Sequence, residues 1–247
     1  MSGPILVTGA SSGIGRAVAR RLAALGHPLV LAARDRAELE RERAHLALAA
    51  GVEAAAVAYD ASLEGAGRAL WRDASAAAGS PLEGLVVCAG EMTDEDAARG
   101  DLALARRMIA VNYASVVELC ETAARELAAR GAGFVCVVGS VAGDRGRAAN
   151  YLYGSTKAAV EAFAEGLRAR LAPSGVAVVL VKPGLVDTRL AWGHPGAALA
   201  APPERVARAV ARAIAARRPV IYTPWWWRWV MLAIRLLPRP VLRRLPI

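Results

Sequence analysis

The sequence predicts an α/β fold: a doubly wound parallel sheet of about seven strands with helices on both faces, followed by an amphipathic helical tail. Three observations carry this expectation. Short apolar, β-branched runs alternate with longer Ala-, Leu- and Arg-rich stretches, the pattern of strand, crossover helix and parallel strand. A glycine-rich turn, Thr8-Gly9-Ala10-Ser11-Ser12-Gly13-Ile14-Gly15, follows the first apolar run. The 247 residues, with 55% hydrophobic content, suffice for one large core and are short for two.

Each element has a local reason. The run Pro4-Ile5-Leu6-Val7 gives a first strand near 4–8, and the glycine turn hands the chain to a helix over 13–25. A second strand near 28–33 leads to a helix over 35–50, with Asp35 placed as its cap. Strands near 52–58 and 84–88 precede helices over 62–78 and 101–130. A fifth strand near 133–139 is followed by a helix over 151–172, which Pro173 and Gly175 end. The sixth strand, 175–182, precedes a helix over 203–217, and Pro219 introduces the seventh at 219–223. No internal repeat breaks the order. Residues 1–224 therefore read as one unit and 225–247 as a tail.

Charge separates the same two parts. The net charge is +9, yet from Arg205 to Ile247 there are ten arginines and no acid, which leaves 21 basic and 22 acidic residues elsewhere. A neutral domain carries a basic end. In that end Pro224 and Pro238 bracket a segment with four tryptophans, Trp225, Trp226, Trp227 and Trp229, and with Arg228 and Arg235 nearly on one helical face. Its thirteen residues are too few to cross a bilayer, which takes ~20. Arginines interleaved with tryptophans suit a lipid interface better than a nucleic-acid backbone, so no nucleic-acid partner is expected. Packing back on the domain and mediating self-association are the other two readings of the tail. Cys88, Cys120 and Cys136 sit in apolar runs without paired or metal-type spacing, so reduced thiols and no metal site are expected. The first strand begins at once, without a signal-peptide pattern. A cytoplasmic location, peripheral on the inner face of the membrane, is expected.

The chemistry concentrates in three places. Tyr153 and Lys157 stand four apart and share one face of their helix. A phenol titrates near ~10; a neighbouring ammonium favours the phenolate and is expected to pull that value down, as general acid–base chemistry requires. Tyr151 has Ser155, not a lysine, at the same spacing. Ser140 stands thirteen residues before Tyr153, at the end of the fifth strand. In the glycine turn, Gly9 permits a tight bend, Gly13 a close backbone approach to phosphate and Gly15 close helix–strand packing, while the helix N-terminus attracts anions.

With Cys88-Ala89-Gly90, Asn112 inside a helix and Pro183-Gly184-Leu185-Val186-Asp187-Thr188, these motifs resemble the short-chain dehydrogenase/reductase family of compact single-domain type, from about Pro4 to Thr223. The resemblance implies a Rossmann-type fold in residues 1–224 and hydride transfer between a nicotinamide and a ketone or secondary alcohol. Ser140 would bond the substrate oxygen, Tyr153 transfer the proton, Lys157 tune the tyrosine and bind ribose hydroxyls, and Asn112 hold a relay water. Gly9, Ser11, Ser12, Gly13, Ile14 and Gly15 would cradle the cofactor phosphates. Asp60, with Ala61, would contact the adenine, and Cys88, Ala89 and Gly90 the ribose, Cys88 standing where asparagine is usual. Pro183, Gly184, Val186 and Thr188 would hold the nicotinamide.

By that resemblance the nucleotide-selecting position at the end of the second strand is Ala33, followed by Arg34, whose guanidinium fork suits a 2′-phosphate. NADP is therefore expected over NAD; with the register shifted, Asp35 would be a ribose acid and the preference would reverse. Ser12 stands where some NADP-dependent members carry a second basic residue. The short lid after Thr188, with Leu190 and Trp192, implies an apolar pocket and a lipophilic carbonyl substrate. His194 reads as a solvated loop residue, and Asn150 and Tyr151 as the pocket mouth. A homo-oligomer, a dimer at the simplest, is expected. The competing function is a catalytically retired dinucleotide-binding sensor or scaffold at the membrane surface, against which the intact Ser140, Tyr153 and Lys157 speak.

Overall fold

A computed structural model describes residues 3–188, 200–242 and 244. Seven strands, β1 (Ile5–Thr8), β2 (Leu29–Ala33), β3 (Ala54–Ala58), β4 (Gly84–Val87), β5 (Phe134–Val138), β6 (Ala177–Pro183) and β7 (Val220–Thr223), form one sheet in the order β3-β2-β1-β4-β5-β6-β7. Every neighbouring pair is parallel. The doubly wound expectation holds, and each strand lies within two residues of its expected start.

Period-two alternation explains how the sheet is covered. Leu6, Val30, Leu85 and Val135 point to one face and pack with Trp71, Leu119 and Val160. These come from α3 (Ala66–Ala78), α6 (Ser115–Arg130) and α7 (Tyr151–Leu171). Ile5, Val7, Leu31 and Val179 point to the other face and pack with Val18, Leu39 and Val206. Those belong to α1 (Gly13–Ala23), α2 (Arg36–Ala50) and α8 (Pro203–Ala215). Each fully buried aliphatic side chain stabilises by roughly 1.5–3 kcal/mol, and strands buried on both faces read as continuous apolar runs for this reason.

The differences from expectation are local. The long helix expected over 101–130 is α5 (Leu102–Ile109), a π turn at Ala110–Ala114 and then α6. A short helix, α4 (Glu95–Gly100), was not anticipated, although Asp94 gives the signal: its carboxylate caps Ala97 N–H at 2.9 Å. The third helix starts late because the Asp60 carboxylate ties down Ser62, and Gly65 turns with φ +76° before Ala66. The tail forms α9 (Trp227–Leu236) and α10 (Arg239–Leu242). Leu190, Trp192, His194 and Arg243 lie outside the described residues.

Candidate active site

The sheet order reverses at β1, whose neighbours are β2 and β4, and ligands of open α/β sheets bind outside the strand ends at such a point. The chain leaves β1 through Gly9 at φ +67°. A Cβ there would meet Ala89 N at 2.7 Å, so the exits of β1 and β4 touch. A Cβ on Gly15 would lie 2.1 Å from Gly9 O; only glycine lets α1 start this close to the turn. Ser12 caps α1, its Oγ accepting from Gly15 N–H at 3.0 Å, and Gly13 abuts the Thr188 methyl.

A cleft of about 110 Å3 opens at this point, and four strand exits line it. Gly9, Ser11 and Ser12 come from β1, and Ala33 and Arg34 from β2. Asp60 and Ala61 follow β3, and Cys88, Ala89 and Gly90 follow β4. Arg34 is exposed there, whereas Asp35 caps α2 by accepting from Glu38 N–H at 2.9 Å. Hydrogen bonds from Ser62, with lesser help from Arg34 and Arg107, hold the Asp60 carboxyl below the usual carboxylate range. Ile14 is half-buried against the α1 side of the core, and Val186 is buried there and bridged to Ala201, so the side chains of these two expected contacts face inward. Cys88 is half-buried, while Cys120 and Cys136 are buried, and all three are free thiols. Tyr59, Glu91 and Arg107 also line the cleft; no motif in the sequence singled them out. A larger groove lies at the β7 edge and holds none of these residues. Location at the switch point, not size, marks the site.

Beside Gly90 the chemical groups converge. A Cβ on Gly90 would be 3.3 Å from Asn112 Oδ1 and 3.4 Å from Lys157 Nζ. Lys157 is 5% exposed, with Nζ 5.6 Å from the centre of the Tyr153 ring. Ser140 stands two residues past the end of β5, and its Oγ accepts from Ala142 N–H at 3.1 Å. The hydroxyl hydrogen is thereby left to donate elsewhere. Burial pushes Tyr153 up to about 12, with a hydrogen bond to Ser140 acting the other way. Burial pushes Lys157 down to about 8. The lowering of Tyr153 by the lysine cation expected from the sequence is thus corrected: burial of the phenol raises it, and the bond to Ser140 only partly offsets that. The set comprises a neutral phenol, a hydroxyl donor and a buried ammonium, which can deliver a proton to an oxygen atom.

Asn112 is fully buried in the π turn. Its Oδ1 accepts from Glu91 N–H at 2.8 Å, and its Nδ2 donates to Glu91 O at 2.8 Å and Thr156 Oγ1 at 3.2 Å. The side chain therefore clamps the β4 exit to α7. At the mouth, Tyr151 is exposed with Arg99 over its ring at 5.3 Å. Asn150 precedes α7 but does not cap it through its side chain; Glu95 of α4 accepts from Leu152 N–H at 2.6 Å instead.

A buried ion cluster fixes this arrangement from behind. Lys182, 4% exposed, binds Asp144, in the turn after Ser140, and Glu161 at 2.8 Å, one helical turn beyond Lys157. Tyr222 Oη donates to Asp144 at 3.2 Å. Burial alone would lower the Lys182 pKa, but the bonds to Asp144 and Glu161 outweigh it and hold the ammonium above its usual value. Replacing Lys182 with alanine strands two carboxylates. The expected loss is about 3–5 kcal/mol in urea unfolding, with the change seen in the midpoint rather than the slope.

The tail closes over the same region. A Cβ on Gly184 would lie 1.8 Å from Trp227 Nε1, so the Trp227 indole rests on the expected nicotinamide loop. Met231, one turn on, is fully buried. Arg145 donates to Arg235 O at 3.0 Å and so ties the end of α9 to the turn after Ser140.

A family model described as short chain dehydrogenase matches residues 4–195. An uncharacterized oxidoreductase of Mycobacterium tuberculosis is 38% identical over 243 residues, spanning 98% of this chain and 97% of the relative. A short-chain dehydrogenase of Sphingobium yanoikuyae, solved with NADPH, superposes with a TM-score of 0.83 at 28% identity, covering 96% of this chain and 97% of that one. An actinorhodin polyketide ketoreductase, also solved with NADPH, gives 0.82 at 26% identity, covering 92% and 97%. Matched along nearly its whole length in sequence and in fold, the chain belongs to the short-chain dehydrogenase family of oxidoreductases.

Proposed function

We propose that the protein is an NADP(H)-dependent carbonyl reductase or alcohol dehydrogenase acting on a lipophilic ketone or secondary alcohol. The observation that carries the reading is the convergence of Ser140, Tyr153 and the buried Lys157 ammonium beside the switch-point cleft. The cleft suits a dinucleotide: Gly9 and Gly15 leave no room for a Cβ, and the N-terminus of α1 favours phosphate. Gly9, Ser11, Ser12 and Gly13 would hold the pyrophosphate, Asp60 and Ala61 the adenine end, and Pro183, Gly184 and Thr188 the nicotinamide end. The bound nicotinamide supplies or accepts the hydride.

The chain's own groups handle the oxygen and its proton. Ser140 donates a hydrogen bond to the substrate carbonyl oxygen. Tyr153, neutral at physiological pH, gives that oxygen its phenolic proton as the carbon accepts hydride. Lys157, still cationic below about 8, stabilises the phenolate left behind and bonds the ribose hydroxyls. With its side chain engaged, Asn112 acts as a positioning residue, and a relay water would sit on the main chain of the π turn, where the normal carbonyl pairing is broken.

Arg34 is the proposed contact to a 2′-phosphate. It is exposed at the cleft while Asp35 is committed to its cap, and two structural neighbours carry NADPH. Removing such a charge-assisted contact costs roughly 1.5–3 kcal/mol. Arg34→Ala should therefore weaken NADPH binding by about one to two powers of ten and leave NADH nearly unchanged in fluorescence titrations. Equal losses for both cofactors would mean that Arg34 does not read the phosphate.

The lipophilic substrate class rests on the tail. Trp227 lies against Gly184, so an apolar helix borders the reacting end of the cleft. Residues 225–247 would bring this site to a membrane surface, where such substrates partition. No helix among the described residues is long and apolar enough to cross a membrane.

A further inference from the structure

Six of the ten arginines of the basic end line one surface groove. α8 and α9 flank β7, the last strand of the sheet, and an open groove of about 1510 Å3 runs there. Arg205, Arg208 and Arg212 of α8, Arg218 before β7, and Arg228 and Arg235 of α9 all line it. The ion pairs found among the described residues use none of these six. Glu204, exposed in the first turn of α8, is a nearby acid in sequence. The carboxylates behind Tyr222, Asp144 and Glu161, are already bound to Lys182. Six guanidinium groups around one groove repel one another and create a strong positive potential, which calls for anions.

The other lining is aromatic. Tyr222, Trp225, Trp226 and Trp229 share the groove with the arginines. The two sides of α9 differ in exposure. Trp227 and Met231 pack inward, while Trp229 (57%), Leu232 (43%) and Leu236 (74%) stand out, with Trp225 (72%) just before them. A second copy of this chain docked symmetrically through the same groove would set these six arginines against their own counterparts, like charge on like charge. Nucleic acid would answer the arginines and leave the aliphatic residues in water. An anionic bilayer meets both halves: phosphate for the arginines, and the interfacial region for tryptophan and leucine.

We infer that the groove between α8, β7 and α9 is a docking site for anionic phospholipid, with headgroup phosphates held by the α8 and α9 arginines and Trp225, Trp229, Leu232 and Leu236 entering the interface. This deepens, and rests on, the membrane reading of residues 225–247. It adds that α8, within the folded domain, supplies half of the charged contact. Because Trp227 of the same helix touches Gly184, docking would bring the mouth of the site to the lipid.

The test is sedimentation of the full-length protein with vesicles of phosphatidylcholine alone or mixed with phosphatidylglycerol. Wild type is expected to pellet with the mixed vesicles, not the neutral ones, and to remain bound at moderate salt. Arg208→Glu/Arg212→Glu should reduce partitioning at least about tenfold, and Trp225→Ser/Trp229→Ser should reduce it and make the remainder salt-sensitive. Both variants should keep wild-type NADPH-dependent turnover and circular dichroism, which excludes misfolding. If the arginine variant pellets like wild type while the tryptophan variant does not, the groove is not the headgroup site and the tail alone attaches. If wild type stays in the supernatant with both vesicles, the membrane reading fails together with the groove. Duplex DNA that displaces wild type from mixed vesicles and binds the tryptophan variant equally well would also overturn the proposal.

Discussion

Tyr153→Phe is expected to lower kcat for ketone reduction by on the order of 10²–10⁴-fold, the usual worth of a positioned general acid, with NADPH affinity nearly intact. Phenylalanine keeps the half-buried ring, so the packing of α7 changes little. Only the phenolic proton is lost. The proposed chemistry assigns that proton to Tyr153: Ser140 is not acidic enough, and Lys157 Nζ stands over the tyrosine ring, 5.6 Å from its centre. Steady-state turnover with a bulky ketone, beside a binding isotherm for NADPH, measures the two quantities separately. Activity of the variant within tenfold of wild type would remove Tyr153 from the proposed role.

Lys157→Ala is expected to damage both quantities. Loss of charge-assisted bonds to ribose should cost roughly 1.5–3 kcal/mol of cofactor binding, about one to two powers of ten. Loss of the cation beside the nascent phenolate lowers kcat in addition. The pH profile carries the sign. Lys157 is pushed down to about 8 by burial, so its cation is present below that value and lost as pH rises through it. Tyr153, up at about 12, keeps its proton throughout. Reduction by wild type should thus hold steady below pH 8 and fall above it, whereas Lys157→Ala should be uniformly slow with no break there. A wild-type profile that rises through pH 8 would contradict the assignment.

Much of this was legible in the sequence because the signals were short-range. Ile5-Leu6-Val7 followed by Gly9 fixes strand and turn together, since only glycine takes φ +67° against Ala89 without strain. Asp35 was legible as a cap, and that reading is what leaves Arg34 to face the cleft. Tyr153 and Lys157 were legible as a pair because helical spacing alone puts them on one face. Their electrostatics were not. Whether a cation or desolvation sets the tyrosine depends on burial, and burial depends on how α7 packs against the turn after Ser140, the π turn at Ala110–Ala114 and β6.

Long-range partners account for the other misses. Asn112 was legible as a helix residue near the site, but its bonds reach Glu91 and Thr156, 21 and 44 residues away. The capping of α7 by Glu95 spans 57 residues, and the Lys182 cluster joins two strands, a turn and a helix. The tail was read as a separate segment. Its inner side proved to depend on Gly184, which has no side chain to oppose Trp227. The arginines of α8 were counted with those of the tail as one basic end, but that they share a groove with Arg228 and Arg235 of α9 depends on how β7 sets the two helices side by side.

The central claim, that Ser140, Tyr153 and Lys157 direct hydride from NADPH to a lipophilic ketone, has one direct measurement. Purified protein is incubated with NADPH deuterated at the transferable C4 position and a panel of bulky ketones, and the alcohols are examined by mass spectrometry. The account predicts an alcohol carrying deuterium on the carbinol carbon with wild type, and almost none with Tyr153→Phe although that variant still binds NADPH. Labelling of equal extent by both proteins, or no labelled alcohol from wild type that binds NADPH, would contradict it.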